Sequence, residues 1–210
     1  VLFTRSTGPE LWFNPAAVFT VPVEGGEESL VSAALDRSLS GWWRPDGKSL
    51  ILTGPDRTRR SMWLQELGGA PRKLNLGSID PGPLSIASNG GLAFIGVEPH
   101  RPAELYYLKS VDAPPERLTN LNSAIASRRL GQVEALVWKG PDGFEENGVL
   151  IYPPDFSADR KYPLVLNIHG GPMSNSTEGF AGAAGVMNQS MAAKHWIVFQ
   201  PNYRGSDNMG

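Results

Sequence analysis

The chain has 210 residues, 40% of them hydrophobic and 19% charged, with a formal net charge of −2 and no cysteine. These are ordinary values for a globular protein with a real core, and they carry no electrostatic footprint for nucleic acid or an anionic membrane surface. The missing thiols exclude disulfides, thiolate metal sites and cysteine nucleophiles. No stretch approaches the ~18 consecutive apolar residues that a membrane span requires. The first residue is Val1 and no charged-then-apolar leader follows it, so the reading is a soluble protein whose true N-terminus lies upstream, in the cytoplasm or the periplasm.

In chain order, the first half repeats. Gly25-Gly26 recurs as Gly68-Gly69, Asp46-Gly47 as Asn89-Gly90 and Trp63 as Tyr106, each pair 43 residues apart, while Leu74 recurs as Leu118 after 44. Asp-Gly and Asn-Gly are the dipeptides that type I′ turns favour, because both central residues need positive φ. Strand-like residues flank them: Trp42-Trp43 before, and Leu50 to Leu52 or Leu92 to Ile95 after. An aromatic strand follows in each unit (Met62 to Leu64, Leu105 to Leu108), then a small-residue turn and a short final strand. Four strands per ~40–45 residues is the size of a propeller blade, whereas hairpins stacked in a sandwich do not repeat their landmarks. About two and a half blades are present, too few for a ring of at least four, so further blades are expected before Val1. The string Trp43-Arg44-Pro45-Asp46-Gly47-Lys48 resembles the W-x-P-D-G-K signature of blades in bacterial translocation proteins and in the prolyl oligopeptidase clan.

From Thr119 the repeat stops. Residues 120–130 are polar and aperiodic and read as a linker. Gln132 to Lys139, the turn Gly140-Pro141-Asp142-Gly143 and Gly148 to Tyr152 form a hairpin. Tyr162 to Ile168 and His195 to Phe199 are near-continuous apolar runs, as expected of strands buried on both faces of a parallel sheet. Between them, Gly185 to Lys194 is a helix that places Val186, Met187 and Met191 on one face. The predicted fold is therefore mixed: the C-terminal blades of a β-propeller in residues 1–119, then the N-terminal part of an α/β-hydrolase domain in residues 120–210.

Chemistry concentrates at His169-Gly170-Gly171-Pro172, at the end of the first apolar strand. In α/β-hydrolases one oxyanion-hole N–H follows the nucleophile and the second comes from the loop after the third strand, where His-Gly-Gly motifs occur. Glycine lets the backbone approach a substrate closely, and proline cannot donate, so Pro172 would fix the loop. Alone, Gly-Gly-Pro reads equally well as a plain strand-to-loop turn. One strand-helix unit later comes Asn202-Tyr203-Arg204-Gly205-Ser206. The pair HGGP and NYRGS, with the ERLTNLN linker, the WKGPDG hairpin and YPLVLNIHGGP, resembles the prolyl oligopeptidase family of serine peptidases, most closely its acylaminoacyl peptidases and bacterial dipeptidyl aminopeptidases.

That resemblance implies a serine exopeptidase or oligopeptidase acting on short peptides through an acyl-enzyme, with the propeller restricting access. It implies backbone N–H donation to the oxyanion by Gly171, with Gly170 beside it, and supporting roles for His169, Pro172, Tyr203 and Arg204. It implies no metal and no organic cofactor, and it leaves a homo-oligomer open. His100 reads as a solvated loop residue and His195 as a helix C-cap; three histidines so far apart make no metal site. No serine here has glycine two residues before and two after, so the nucleophile elbow and the triad Asp and His are expected beyond Gly210, and the 210 residues alone are expected to be inert. The alternatives are a non-catalytic propeller and hydrolase-like binding protein, or a carboxylesterase.

Overall fold

The computed structural model describes residues 1–7, 15–171 and 174–208, and among these the strands form four sheets. The first holds β1 (Leu2–Ser6), β2 (Ala16–Thr20) and β3 (Ser29–Leu30). The second holds β4 (Ser40–Trp43), β5 (Ser49–Asp56), β6 (Arg59–Glu66) and β7 (Arg72–Lys73); the third holds β8 (Asp80–Ile86), β9 (Leu92–Glu98), β10 (Arg101–Leu108) and β11 (Glu116–Arg117). Each is an antiparallel meander whose sequence neighbours pair. The 43-residue spacing read from the sequence separates the starts of β5 and β9.

The two-residue period of a strand explains how these sheets stack. On β5, Leu50 and Leu52 point to one side and pack with Val18, Leu39 and Trp63. Ile51 points to the other and packs with Met62, Leu64, Phe94, Tyr106 and Leu108. The central sheet thus has an apolar core on each face, and each such side chain contributes about 1.5–3 kcal/mol by leaving water. Pro81 and Pro83 lie in β8, an edge strand, and the β8–β9 register shifts between Pro81 and Leu84, as expected of prolines that cannot donate to a ladder.

The tight turns differ from expectation. Gly47 and Gly90 take positive φ (65° and 85°), but Asp46 and Asn89 do not, so neither turn is type I′. Instead Gly47 N–H donates to the Arg44 carbonyl and Gly90 N–H to the Ala87 carbonyl, as in a one-turn loop closed by a left-handed glycine. The Asp46 carboxylate accepts the Ser49 hydroxyl and the Lys48 and Ser49 N–H groups, which hold it below the usual carboxylate range. The Asp46 side chain organises the loop, and the positive φ falls on Gly47.

The predicted linker is ordered by one buried acid. Glu104, on β10, accepts the Thr119 hydroxyl and the N–H groups of Leu121 and Asn122. The short helix α1 (Ser123–Ala126) follows directly.

The fourth sheet is mixed. It contains β12 (Val133–Lys139), β13 (Glu145–Ile151), β14 (Leu164–Leu166) and β15 (Ile197–Asn202) in the order β12-β13-β15-β14, with β14 and β15 parallel. Helix α2 (Gly182–Ala192) joins that parallel pair, and Ala192 packs on Val149, Ile151 and Val198. Two expectations are not met within these 210 residues. In them the run Tyr162 to Ile168 is not buried on both faces: only Leu164–Leu166 is strand, it lies at the edge of the four strands, and Leu164, Leu166 and Ile168 are 58%, 54% and 59% exposed. Nor does α2 bury Val186 and Met187, which are half-exposed; only Met191 touches the core. Its inward face is Gly185, Asn188, Gln189 and Ala192, spaced as one helical face requires. The two amides fix that rotation by bonding inward, Asn188 with Asn167 and Gln200, and Gln189 with the Gly131 backbone. Among the described residues, no helix is long and apolar enough to cross a membrane.

Candidate active site

The stretch His169-Gly170-Gly171 leaves the end of β14, and β15 runs beside it into Tyr203, Arg204 and Ser206. The parallel pairing of these strands therefore delivers both motifs to one end of the sheet, where ligands of parallel sheets bind. Pro172 lies outside the described residues.

Gly171 has φ 142°, a region that side-chain-bearing residues rarely enter, so glycine is required there. Gly170 is exposed, and a Cβ built on it would meet nothing within 4 Å. Its lack of a side chain leaves clear space above the peptide bond.

His169 is held on four sides. The Tyr203 hydroxyl donates to its carbonyl at 2.7 Å, and the Tyr203 ring stacks on the imidazole with centroids 4.6 Å apart. Its Nδ1 lies 3.3 Å from the Gly170 carbonyl and its Nε2 2.9 Å from the Ser206 hydroxyl. A carbonyl only accepts, so the proton belongs on Nδ1, and Nε2 is left to accept from Ser206. A trans peptide carries its C=O and N–H in opposite directions. Holding the Gly170 carbonyl toward the imidazole thus turns the Gly171 N–H away from it.

Arg204 serves a different place. Its guanidinium donates to Asp142 at 2.6 Å and lies 4.3 Å over the Phe144 ring, both on the turn between β12 and β13. The Arg204 hydrogen bond, with one from the Phe144 N–H, holds the exposed Asp142 carboxylate below its ordinary range. Tyr203 and Arg204 are adjacent in sequence, yet one fixes His169 and the other the hairpin.

Behind the turn lies a chain of buried amides that sequence reasoning missed. Asn188 bridges Asn167 and Gln200 at 3.0 and 2.8 Å. The side-chain amides of Asn202 and Asn208 both donate to the Asn147 side-chain oxygen Oδ1, at 2.8 and 3.0 Å. Asn202 also exchanges two hydrogen bonds with the Ser176 backbone. A cleft of about 280 Å³ opens beside His169 against Asn167, Ser176, Phe180, Asn188 and Gln200. One signal was available: Val198, Gln200 and Asn202 alternate on one face of β15, so two amides share the side of a core valine. Ser206 gave none.

The remaining histidines lie elsewhere. His100 is exposed as expected, but its Nε2 also sits 2.9 Å from the Gly131 carbonyl. His195 follows α2 in a left-handed conformation (φ 63°), and its N–H donates to the Ala192 carbonyl, which closes the helix.

No family model matches the chain. Among curated proteins it is 27% identical over 186 residues to the uncharacterized peptidase YuxL of Bacillus subtilis, an alignment covering 87% of this chain and 27% of the relative. It is 25% identical over 199 residues to dipeptidyl-peptidase 5 of Porphyromonas gingivalis, covering 92% and 28%. Among solved structures it matches the Pyrococcus horikoshii acylaminoacyl peptidase with TM-score 0.79 at 20% identity, over 100% of this chain and 31% of that one. An acylaminoacyl peptidase in complex with Z-Gly-Gly-Phe-chloromethyl ketone gives TM-score 0.80 at 20% identity, over 100% and 32%. The chain thus spans between a quarter and a third of the length of these proteins. Its relatives are peptidases and dipeptidyl-peptidases and its fold is that of a fragment of acylaminoacyl peptidase, in agreement with the resemblance to the prolyl oligopeptidase family.

Proposed function

We propose that this chain is part of a serine-type peptidase that cleaves short peptides by acyl transfer, and that it supplies one side of the oxyanion hole. In this reading the three antiparallel meanders are blades of a β-propeller within residues 1–119, and the mixed sheet opens an α/β-hydrolase domain within residues 120–210. The Gly171 N–H, with Gly170 beside it, faces the developing oxyanion. The nucleophilic serine, the aspartate and the triad histidine come from outside these 210 residues. The propeller restricts entry to short or extended peptides.

The observation that carries the reading is the Gly171 turn at φ 142°, fixed through His169 by Tyr203 and Ser206 at the end of a parallel strand pair. A plain loop has no need of a histidine buttressed on both ring nitrogens. In acyl transfer such a donor acts where charge develops, and losing one costs about 10²–10³ in kcat. Peptidase relatives over most of the chain support the substrate class. Ser206 contacts His169, but the pair is not read as a nucleophile dyad. Ser206 is buried and sits in the NYRGS loop without the flanking glycines of an elbow.

A fluorophosphonate probe tests this. The full-length protein should label on a serine outside residues 1–210, and the isolated 210-residue polypeptide should not label. Labelling at Ser206 would sink the assignment.

A further inference from the structure

The hairpin between β5 and β6 has only two central residues, Arg57 and Thr58, flanked by the pair Asp56 and Arg59. Arg57 has φ 57° and Thr58 has no positive φ. That is the pattern of a type II′ turn, whose first central position favours glycine. An arginine in that strained place calls for a reason, and the surroundings supply one.

The turn is wedged between the two loops that carry the candidate site. The Arg57 carbonyl accepts from the Asn208 side-chain amide at 2.8 Å and from that of Asn175 at 3.4 Å, while its N–H donates to the Asn208 carbonyl at 3.3 Å. Its guanidinium reaches Glu145 on β13 at 2.9 Å. Buried Thr58 donates its hydroxyl to Glu178 at 2.8 Å, and its carbonyl accepts the Glu178 N–H at the same distance. A second fastening comes from the loop before β4, where the Ser38 hydroxyl bonds Asp207. The two loops are also tied to each other, through the Asp207 N–H to the Ser174 carbonyl. Ser206, which holds His169, lies between these fastened residues.

We propose that Arg57 and Thr58 are positioning residues for the oxyanion turn. The β5–β6 turn sets the placement of loops 174–178 and 203–208, and these set Ser206, His169 and the Gly171 N–H. The second sheet then acts on the chemical step itself, beyond any restriction of substrate entry. The inference rests on the peptidase reading above.

The test uses the full-length protein and a short chromogenic peptide. Thr58→Val replaces the hydroxyl with a methyl group of similar size, and Thr58→Ser restores the hydroxyl. The expected result for Thr58→Val is a fall in kcat of about tenfold or more, since a misplacement of about 1 Å from a remote mutation is costly, with KM within about twofold. Thr58→Ser should recover most of the rate. Amide exchange in 174–178 and 203–208 should quicken in Thr58→Val and return in Thr58→Ser. Ser38→Ala cuts the second fastening and should lower kcat in the same direction, which keeps the test decisive should Thr58→Val fail to fold. An unchanged kcat in both variants overturns the proposal, as does a rise in KM alone or quickened exchange with full activity. Failure of the wild-type protein to hydrolyse peptides or take up a fluorophosphonate would instead refute the peptidase reading, and the exchange data would still show whether the turn holds the loops.

Discussion

Two neighbouring glycines at the candidate site differ in what they demand. Gly171 lies at a backbone angle where a Cβ is strained, at a cost on the order of 1–3 kcal/mol. Gly170 has open space around it. Gly170→Ala should therefore leave the thermal midpoint of the full-length protein close to wild type, while Gly171→Ala should lower it; differential scanning calorimetry compares the two. A further residue-scale expectation concerns the tautomer of His169. Ser206→Ala removes the hydroxyl beside Nε2 but leaves the Gly170 carbonyl that holds the proton on Nδ1, so 15N shifts should report the Nδ1–H form in both wild type and variant. A mixture of tautomers in the variant would mean that Ser206 shares in setting it. Sequence reading singled out the glycine pair, and of the two only Gly171 takes a backbone angle that other residues rarely adopt. It did not find Ser206, because a serine in a polar loop looks the same whether or not it meets an imidazole.

At the scale of elements, Glu104 shows how one carboxylate organises a segment. Burial would raise its pKa, but the Thr119 hydroxyl and the Asn122 and Leu121 N–H groups overcome this and hold it below the ordinary 4.5. A depressed folded value means that its contribution is complete above about pH 4.5 and is lost as pH falls through the lower folded value. Glu104→Gln should cost about 1–3 kcal/mol at neutral pH, because hydrogen bonds to a charge are replaced by weaker ones. Its unfolding midpoint should also vary less across the acid limb than the wild type's. A parallel acid limb in both proteins would show that Glu104 is not the group responsible. The repeat was legible as elements because each unit carries its own landmarks at a fixed spacing. The mixed sheet was less so. Leu164, Leu166 and Ile168 read as a buried strand, and within these 210 residues β14 lies at the sheet edge, where they are exposed. The rotation of α2 was hidden for a related reason. Asn188 and Gln189 are polar, and only their partners Asn167, Gln200 and Gly131 make them an inward face.

Across the whole molecule, the sheets and the site form one continuous hydrogen-bonded assembly. The second sheet reaches loops 174–178 and 203–208 through Arg57, Thr58 and Ser38, and Phe180 N–H extends the contact to the Glu98 carbonyl on β9. None of this was visible in sequence, since contacts between residues more than a hundred positions apart leave no local pattern. What connects these scales is the Gly171 N–H, placed by backbone angle, by His169 and by loops pinned from a neighbouring sheet. The most direct measurement is kcat for a short chromogenic peptide in the full-length protein, wild type against Gly171→Ala. Alanine keeps the N–H but is strained at this backbone angle and should displace it, so the account expects a fall in kcat of at least about tenfold, up to the 10²–10³-fold associated with losing one oxyanion donor, with KM little changed. Full activity in Gly171→Ala would contradict the placement of the oxyanion hole at this turn.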